Sequence, residues 1–413
     1  MKYRYREPHE MKDSGVKWLG IIPKKWEIGK IKYKFKIGRG RVISQGELDD
    51  NGKYPVYSSQ TLHNGCLGYI NSYDFSKKLI TWTTDGANAG TIFLRDGKYN
   101  CTNVCGTLEA LDKNDSLEYY FYYLSFAAQY YKRPDTNGAK IMNNEMANIL
   151  SLIPSENKQK IVDFLNKKTS EFDEVIEKKE KLIEKLEEAK KSLISEVVTG
   201  KKKVSIDESG QLKVKNRPTE EMKNSGVEWL GMIPEEWKVG KIKFWAKLQS
   251  GNSITSDDIK ETGKFSVYGG NGFRGYTDSH THDGKYILIG RQGALCGNIN
   301  YALNKFWASE HAIVVTLLKS QIDINWLGEL LRSMNLNQYS MSAAQPGLAV
   351  SMIENLHIPF AKFDEQDSIG KFIFNRKNKV DSIIFNIKNQ IIKLREAKQS
   401  LISEAVTGKI EVL

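Results

Sequence analysis

The chain has 413 residues, which is room for roughly two to four domains. Apolar residues make up 40% and charged residues 27%, a balance typical of globular protein rather than of a disordered or fibrous chain. No uninterrupted apolar run approaches the length of a membrane span, and the opening MKYRYREPHEMKDSG lacks the apolar core of a signal peptide. We therefore expect a cytoplasmic protein without a membrane partner.

The cysteine content and the net charge narrow the class further. Four cysteines are too few for a disulfide framework at this length, and a reducing compartment fits them better, as buried packing residues. They are Cys66, Cys101, Cys105 and Cys296. The net charge of +11 favours a polyanionic partner, although many basic proteins bind no nucleic acid.

Two segments of the chain occur twice. Residues 11–32 (MKDSGVKWLGIIPKKWEIGKIK) and 222–243 (MKNSGVEWLGMIPEEWKVGKIK) agree at 15 of 22 positions. Residues 188–201 (EAKKSLISEVVTGK) and 396–409 (EAKQSLISEAVTGK) agree at 12 of 14. Each half thus begins and ends alike, while the segments between differ freely. This pattern predicts two different binding heads on one pseudo-symmetric frame.

A lysine-rich run follows the first repeated segment. Lys30, Lys32, Lys34 and Lys36 alternate with apolar residues, so a strand here would place the four lysines on one face. Arg39 and Arg41 follow on a glycine-containing turn. The run is either an edge strand protected by lysines or a surface that contacts phosphate, and both interpretations remain open. Lys241 and Lys243 keep much of the pattern in the second copy, where Trp245 replaces one lysine.

Short β-rich runs and one helix are predicted in each variable region. In the first half, strands are expected at 54–57, 79–83 and 90–94 and a helix near 116–131; in the second, strands at 265–268, 286–289 and 312–318 and a helix at 325–339. This order predicts two α+β domains.

A long helix is predicted after each variable region. From Ile161 and from Ile369, apolar residues recur every three or four positions among Lys and Glu, over roughly 40 residues in each copy. Each narrow apolar seam needs a partner, and the equivalent seam is the other copy, so we expect an antiparallel coiled coil. Gly200 and Gly408 suit the helix ends. The polar residues 201–217 are expected to form a solvated linker.

No motif of catalysis is recognisable. The chain has no Asn/Asp-Pro-Pro-aromatic segment and no Gly-Lys-Ser/Thr phosphate loop. Residues 270–275 match GxGxxG, but no helix pattern follows them, so a tight turn is favoured over a dinucleotide site. Cys101 with Cys105, and His280 with His282, lack a second pair at zinc spacing. We expect neither a catalytic residue nor a metal site.

Polar clusters at expected loop tips are the remaining candidates for function. Arg, Lys, Asn and Gln can match the donor and acceptor patterns of base edges in the major groove. Each cluster could also be an ordinary polar loop, and their recurrence at comparable places in both halves leaves the two interpretations balanced. With the lysines and arginines above, the candidate DNA-binding residues are Thr83, Thr84, Asn103, Lys140, Asn143, Asn144, Asn271, Arg274, Arg291, Gln292, His311 and Gln345. The lysines would contact phosphate, and Arg291 with Gln292 would read bases.

The repeated segments resemble a known family. The opening DSGVKWLGIIPKKW and its twin NSGVEWLGMIPEEW, with the closures SEVVTGK and SEAVTGK, are similar to the domain starts and helix ends of type I restriction-modification specificity subunits. The resemblance covers the whole chain. It implies an α+β fold with two pseudo-symmetric target-recognition domains, separated by two long helices packed as an antiparallel coiled coil. The implied boundaries are 1–155 and 218–361 for the two domains, 156–200 and 362–413 for the helices, and 201–217 for the linker.

The same resemblance implies a role in a larger complex. Each target-recognition domain would read one half of a bipartite asymmetric site in double-stranded DNA. The helices would set the spacing and dock two modification subunits, which carry S-adenosylmethionine and methylate adenine, and restriction subunits would join them. This chain itself would have no catalysis and no cofactor. The alternative is a freestanding two-headed DNA-binding regulator without methylase partners.

Overall fold

The computed structural model describes residues 2–136, 138–155, 157–340 and 346–413. The chain forms two compact units, Met1–Lys179 with Lys388–Leu413, and Glu180–Ile387. Each unit contains one mixed α+β head and a part of both long helices. The domain boundaries expected from the sequence instead assign the helices to segments of their own.

The first head consists of short strands around one long and one short helix. Its strands are β1 (Tyr3–Tyr5), β2 (Met11–Asp13), β3 (Ile21–Pro23), β4 (Glu27–Lys30), β5 (Phe35–Arg39), β6 (Tyr54–Tyr57), β7 (Cys66–Ile70), β8 (Leu79–Thr83), β9 (Asp85–Gly86), β10 (Ile92–Arg95), β11 (Asn100–Cys101), β12 (Cys105–Ala110), β13 (Arg133–Asp135), β14 (Gly138–Lys140) and β15 (Leu150–Ile153). Its helices are α1 (Leu117–Ala127) and α2 (Asn143–Asn148), and the long helix α3 (Lys158–Val198) follows.

The second head repeats this order. A hairpin comes first, β16 (Lys202–Ile206) with β17 (Leu212–Asn216). The other strands are β18 (Met222–Asn224), β19 (Met232–Pro234), β20 (Lys238–Lys241), β21 (Ala246–Ser250), β22 (Phe265–Gly269), β23 (Gly272–Thr277), β24 (His282–Asp283), β25 (Tyr286–Gly290), β26 (Ile299–Ala302), β27 (Lys305–Ala308), β28 (Ala312–Leu317) and β29 (His357–Phe360). The helices are α4 (Ile324–Ser333) and α5 (Val350–Ile353), and the chain ends with the long helix α6 (Phe363–Val406) and β30 (Ile410–Val412).

A four-stranded sheet forms the centre of each head. The strand order is β10-β8-β12-β5 in the first head and β26-β25-β28-β21 in the second. All five residues of β8 are buried, since the strand lies between two others and both of its faces are covered. A second sheet packs beside each central one, β11-β6-β7 in the first head and β23-β22-β27-β24 in the second. The predicted strands of both variable regions are confirmed in position. The predicted helices are shorter than expected: α1 ends at Ala127 and passes into a 3₁₀ turn, and α4 ends at Ser333, ahead of Asn335 with φ +51° and a second 3₁₀ turn.

The two long helices run antiparallel. In the first unit Asp173 pairs with Lys398 at 2.7 Å, and Lys179 pairs with Gln390 at 2.7 Å. Residue numbers therefore rise along α3 while those of the contacting residues fall along α6. In the second unit Lys190 pairs with Asp381 at 2.6 Å. The predicted seam residues are buried or half-buried, and the helices end at Val198 and Val406, ahead of Gly200 and Gly408, whose φ values are +79° and +70°. The antiparallel pairing predicted from the two seams is confirmed.

The repeated segments owe much of their likeness to internal packing. Trp26 and Pro23 lie against Gly408, where an added Cβ would come within 2.9 Å and 2.5 Å of their side chains. Trp237 and Pro234 lie against Gly200 in the same way, at 3.1 Å and 2.4 Å. Both tryptophans are 1% exposed. A glycine at each helix closure therefore accepts the tryptophan of the matching domain entrance, and any side chain there would separate them.

One prediction of local structure is wrong, and a second is incomplete. The lysine-rich run is not one strand: β4 ends at Lys30, a 3₁₀ turn spans Ile31–Tyr33, and β5 begins at Phe35. The four lysines therefore do not share one strand face. The polar linker 201–217 is an ordered hairpin, because Val204 is buried and Leu212 and Val214 pack on the core of the second unit. Three apolar side chains were enough to dock a segment that is otherwise polar.

Candidate nucleic-acid interface

One end of the first head carries a compact frame of backbone hydrogen bonds, here called the first tip. The Thr84 N–H donates to the Val104 carbonyl at 3.0 Å, and the Thr84 carbonyl accepts from the Ile141 N–H at 2.8 Å. Three chain segments, which follow β8, precede β12 and follow β14, thus meet at Thr84. The side chains of Asp85, Asn103 and Lys140 emerge from this frame.

The second head has the same frame, here called the second tip. The Arg291 N–H donates to the His311 carbonyl at 2.8 Å, and the Arg291 carbonyl accepts from the Leu348 N–H at 2.8 Å. Gln292 forms an isolated antiparallel bridge with Gly347, as Asp85 pairs with Lys140 in the first head. The two tips therefore share a backbone arrangement.

The side chains on the shared frame differ between the heads. Thr84 corresponds to Arg291, Asp85 to Gln292, Asn103 to Glu310, Val104 to His311 and Lys140 to Gly347. One framework therefore presents two different patterns of donors, acceptors and charge. A common scaffold with exchanged side chains is what reading two different base sequences requires.

The structure brings several predicted residues to the first tip. Arg39 lies opposite Gly106 at the end of β5, beside the start of β12, and its guanidinium is 3.4 Å from the Met142 sulfur. Asn103 and Arg39 are exposed, and Lys140 is half-buried and paired with Asp135 at 3.0 Å. The positive charge of Lys140 is therefore partly compensated within the protein, so its role at the tip includes holding β13 to β14.

Arg41, Asn143 and Asn144 are more constrained. Arg41 forms ion pairs with Glu47 at 2.7 Å and with Asp74 at 3.2 Å, and the Glu47 hydrogen bond raises the Arg41 pKa. Asn143 is half-buried, and its Oδ1 has no hydrogen-bond partner among the described residues. Asn144 is exposed and accepts from the Asn148 amide at 3.2 Å. Of these three, Asn144 is the side chain that solvent reaches most easily.

Two of the predicted residues are not available to a ligand. Thr83 and Thr84 are 0% and 1% exposed. Their hydroxyls are engaged with backbone: Thr83 donates to the Asn88 carbonyl, and Thr84 donates to the Val104 carbonyl at 3.1 Å. Both threonines therefore build the first tip instead of presenting side chains at it. A sequence pattern of small polar residues does not separate these two roles, since the same hydroxyl serves either.

The lysine-rich run lies away from the first tip. Lys34 immediately precedes β5, whereas Arg39 is the last residue of that strand. The Lys34 carbonyl accepts from the Leu111 N–H, and the Lys34 ammonium is 3.8 Å from Asp115. Lys30 donates to Asn148 at 3.4 Å, and Lys32 stands 5.2 Å from the Tyr33 ring. Lys36 is exposed opposite Glu109. These lysines form no part of the first tip, and Lys241 and Lys243 lie correspondingly before β21 in the second head.

The backbone of the GxGxxG segment, residues 270–275, lies close to the backbone of the second tip. Gly270 and Asn271 are the turn between β22 and β23, as predicted. An added Cβ on Gly290 would stand 2.1 Å from the Gly270 carbonyl oxygen, and one on Gly270 would stand 2.7 Å from the Gln292 carbonyl oxygen. The glycines therefore let the hairpin turn, with exposed Asn271 and Arg274, lie against the second tip. Gln345 lies outside the described residues.

Two acidic residues were missing from the predicted set. Glu310 stands beside His311 and Arg291, and Asp135 pairs with Lys140. Carboxylates do not donate to base edges, but they position the side chains that do. In the sequence, Glu310 could have been recognised from its place next to His311.

Metal clusters, disulfides and membrane-spanning helices are absent from the described residues. Among them, no group of three or more His, Cys, Asp or Glu side chains could hold a metal ion. The four cysteines are free thiols, three buried and one half-buried. Within the same residues, no helix combines the length and apolar character that a membrane crossing needs.

Comparison with known families identifies the fold. The model of the type I restriction modification DNA specificity domain matches residues 23–188 and again residues 234–393. The chain belongs to the type I restriction-modification specificity family. Each match covers most of one head and most of the long helix that follows it, so the internal repeat is a repeat of this domain.

Individual relatives share part of the chain. The specificity subunit of the Escherichia coli type I restriction enzyme EcoprrI is 42% identical over 124 residues, 29% of this chain and 31% of that protein. A putative type I specificity subunit of Mycoplasma pneumoniae is 40% identical over 136 residues, 32% of this chain and 44% of that protein. The matched segments thus span less than half of either relative.

One solved structure shares the fold along most of the chain. It comes from work on complex assembly and conformational transition of the type I R-M system, and it covers 94% of this chain and 99% of its own, with a TM-score of 0.68. The sequence identity is 13%, so the likeness concerns fold alone.

Proposed function

We propose that this chain is the DNA-recognition subunit of a type I restriction-modification enzyme and binds a bipartite asymmetric site, one half for each head. The observation that carries the proposal is the shared backbone frame of the two tips with different side chains at matched positions, such as Thr84 and Arg291. Two unlike heads in one chain multiply the specificity of each.

The chemistry of the tips suits base edges. Arg39 and Asn103 at the first tip, and Arg291 and Gln292 at the second, can bond to donors and acceptors in the major groove. The exposed lysines, among them Lys32 and Lys36, would add attraction to phosphate without sequence preference. The net charge of +11 supports the same partner.

The repeated helix segments supply a surface for a partner that binds twice. Glu188, Ala189 and Ser192 are exposed on α3, and the identical Glu396, Ala397 and Ser400 are exposed on α6. Packing within the protein does not account for identity at exposed positions. Two modification subunits docking by the same chemistry would account for it, and restriction subunits would join that core.

The docking surface in the first unit includes an apolar groove. Its volume is about 570 Å³, and its lining includes Tyr3, Tyr5, Val175 and Ala397. Tyr3, Tyr5 and Val175 are 42%, 60% and 42% exposed, so the groove presents neighbouring apolar side chains to solvent. We assign this groove to a modification subunit.

In this assignment the chain has no catalysis of its own. S-adenosylmethionine and the methyl transfer to adenine belong to the modification subunits, and this chain selects the sequence. The helices α3 and α6 would then determine how many unread bases separate the two half-sites.

The test is single-molecule sequencing of methylated adenine in cells that express the chain with a modification subunit. We expect one bipartite motif, of which one half changes when residues 25–153 are replaced by the same region of another family member and the other half stays. The control replaces residues 236–360 and should change the opposite half. A chain that binds its site tightly but never co-purifies with a methyltransferase would be a freestanding regulator, contrary to the proposal.

A further inference from the structure

The hairpins β6–β7 and β22–β23 differ by an insertion at their turns. Their sequences match on both sides of the turn, with KYPVYSS and NGCLGY in the first head and KFSVYGG and NGFRGY in the second. Between these parts the first head has four more residues, QTLH at 60–63. The strand register agrees with this alignment, since Val56 lies opposite Gly68 as Val267 lies opposite Gly275. The insertion is therefore an addition to a hairpin that forms without it in the second head.

The inserted residues leave the hairpin beside the first tip. The Thr102 N–H donates to the Tyr57 carbonyl at 2.9 Å, and Thr102 immediately precedes Asn103 of the first tip. The corresponding hydrogen bond attaches the second hairpin at 2.8 Å. There, the turn lies against the second tip, where an added Cβ on Gly270 would stand 2.7 Å from the Gln292 carbonyl oxygen. The insertion thus extends the first head at the place where the second hairpin meets its own tip.

The inserted loop is held by contacts of its own. The side-chain amide of Gln60 donates to the Cys66 carbonyl, which connects the start of the loop to its end. His63 and Asn64 both take left-handed backbone conformations, with φ values of +49° and +56°. Residues other than glycine rarely adopt this conformation, and they keep it where surrounding contacts hold them there. A loop fixed in this way presents its exposed side chains with little further loss of entropy on binding.

Leu62 is the apolar side chain that the insertion presents. It is 73% exposed, and its neighbours Thr61 and His63 are exposed polar residues. Within the described part of the chain, Leu62 belongs to none of the hydrophobic clusters. The protein therefore gains little folding free energy from this leucine, whereas a ligand that covered it would gain from removing its side chain from water.

The major groove offers one group that suits a leucine. Base edges there present hydrogen-bond donors and acceptors, and thymine adds its 5-methyl group, which is apolar. A leucine side chain can neither donate nor accept a hydrogen bond. Among the base edges, the thymine methyl is thus the partner that an aliphatic side chain can select.

We propose, on the basis of the proposed DNA-reading function, that residues 60–63 are a further reading element of the first head and that Leu62 selects thymine through its 5-methyl group. The second head has the short turn Gly270-Asn271 in the same place, so this contact belongs to the first half-site. An insertion into one of two matched hairpins thereby adds a base preference to one half-site.

The experiment removes one methyl group at a time from the DNA. The motif is read from methylated adenine in cells, and the replacement of residues 25–153 identifies the first half-site. The full chain with its modification subunit is then titrated onto fluorescent duplexes of that motif. In each duplex one thymine of the first half-site, on either strand, is replaced by deoxyuridine, which lacks only the 5-methyl group. Fluorescence anisotropy measures the binding of the wild type, Leu62→Ala and Leu111→Ala.

Leu111→Ala is the matched control. Leu111 is a 61% exposed leucine of the same head, and its N–H donates to the Lys34 carbonyl at the end of β5 away from the first tip. Both variants shorten an exposed leucine, so both should keep the fold, which circular dichroism checks.

We expect one deoxyuridine duplex to bind the wild type about three- to tenfold more weakly than the thymine duplex, because a buried methyl contact is lost. Leu62→Ala should bind the thymine duplex more weakly by a similar factor and should no longer distinguish the two duplexes. Leu111→Ala should behave as the wild type.

The inference is overturned if every deoxyuridine duplex binds the wild type as tightly as the thymine duplex, or if Leu62→Ala distinguishes them as the wild type does. A Leu62→Ala variant that binds all duplexes more weakly while the wild type ignores the methyl groups also overturns it. In these cases the proposed function stands, because the motif still has two halves. If no bipartite motif depends on this chain, the proposed function fails and thymine selection fails with it.

Discussion

Trp82 lies directly opposite Gly106 on neighbouring strands of the first head, and an added Cβ on Gly106 would come within 2.1 Å of the tryptophan ring. The matched pair in the second head is Ile289 opposite Ile313. In the first head the Trp82 ring occupies the space above Gly106, and in the second head two isoleucine side chains share the corresponding space. The strand frame is shared while the core volumes are distributed differently.

The first prediction concerns this pair. Gly106→Ala should destabilise the first head by about 3 kcal/mol or more, because the Trp82 ring is 0% exposed and has no free space to enter. Gly46→Ala is the control, since an added Cβ there meets no atom within 4 Å. Chemical denaturation measures both.

The pairing in the second head suggests a rescue. Trp82→Ile with Gly106→Ile should recover most of the stability that Gly106→Ile loses alone. The recovery stays incomplete, since the Trp82 Nε1 donor to the Ile141 carbonyl at 2.8 Å disappears, which is worth about 1 kcal/mol. Additive losses in the double variant would contradict the volume argument.

The second prediction concerns a buried carboxylate in α4. Glu329 is 2% exposed and contacts Lys377 at 2.9 Å, Arg332 at 3.1 Å and the Tyr301 hydroxyl at 3.1 Å. Glu329→Gln leaves the two cations without their partner. Since Lys377 and Arg332 are 31% and 41% exposed, water compensates part of the loss, and we expect a cost of roughly 1–3 kcal/mol.

A matched variant exists in the first head. Tyr122 occupies the position of Glu329 in α1 and contacts Asn166 at 2.8 Å and Thr169 at 3.2 Å without charge. Tyr122→Phe should cost about 1 kcal/mol. Urea denaturation of both variants tests whether the ionic contact contributes more than the neutral one; a larger loss for Tyr122→Phe would refute the ordering.

The third prediction concerns pH. Asp323 caps α4 by accepting from the Trp326 N–H at 2.7 Å, and burial raises its pKa above the ordinary 3.8. Between pH 3.8 and the raised pKa the folded state therefore binds more protons than the unfolded state, so the free energy of unfolding falls as pH rises through that range. Asp323→Asn keeps a capping oxygen and removes the charge.

We therefore expect Asp323→Asn to match or exceed the wild-type stability at pH 7, and its advantage to shrink as pH falls toward 3.8. Ser116, the matched cap of α1, accepts from the Tyr119 N–H at 3.2 Å. Ser116→Ala should cost about 1 kcal/mol at every pH in that window. Thermal melts across the pH range provide the comparison, and an Asp323→Asn penalty that is constant with pH would rule out the charge effect.

The fourth prediction concerns strand pairing near the two chain ends. In the first unit Tyr5 of β1 lies opposite Ile410 of β30, and Arg4 lies opposite Glu411. The second unit has the same register within its hairpin, where Asn216 lies opposite Lys202 and Lys215 lies opposite Lys203. The Arg4 and Glu411 side chains also pair at 2.5 Å. The pair β1 and β30 therefore takes the place that the hairpin β16–β17 occupies in the other unit.

A circular permutant tests this equivalence. Joining Leu413 to Met1 through a copy of residues 206–211, and opening the chain between Ser209 and Gly210, should leave the thermal midpoint within about 5 °C of the wild type. A second permutant opened between Leu288 and Ile289, inside the central sheet, should not fold. Equal behaviour of the two permutants, by circular dichroism, would contradict the equivalence.

The fifth prediction concerns docking of the modification subunit. Ala189 and Ala397 are identical and exposed on the two helices, so Ala→Arg at either should preserve folding and block one docking surface. Each single variant should bind one modification subunit and the double variant none, as counted by native mass spectrometry. Lys393→Glu, at an exposed position outside the repeat, is the control. Two bound subunits in the double variant would exclude this surface.

The periodic parts of the fold could be predicted from the sequence. Strand runs such as Leu79–Thr83, the seams of α3 and α6 and the stops at Gly200 and Gly408 depend on local spacing and on backbone preference, which a single sequence displays. The antiparallel pairing also followed, because two equal apolar seams in one chain cover each other.

The candidate site was predicted only in part. The sequence by itself determined the positions of the variable polar segments, and it placed Arg291, Gln292 and His311 among the candidates. It could not separate Thr84, which is buried in the frame, from Asn103, which is exposed on it, since both are small polar residues in a turn-rich segment. The lysine run was misread as one strand because alternation does not reveal a 3₁₀ turn at Ile31–Tyr33.

The tertiary structure alone decided which residues act together. Gln292 and His311 are far apart in the chain, and only the bond from Arg291 N–H to the His311 carbonyl brings their side chains to 2.7 Å. Trp82 and Gly106 likewise became a pair only through strand register. Contacts of this kind depend on how separate segments are aligned by the whole core, and local spacing carries no record of that alignment.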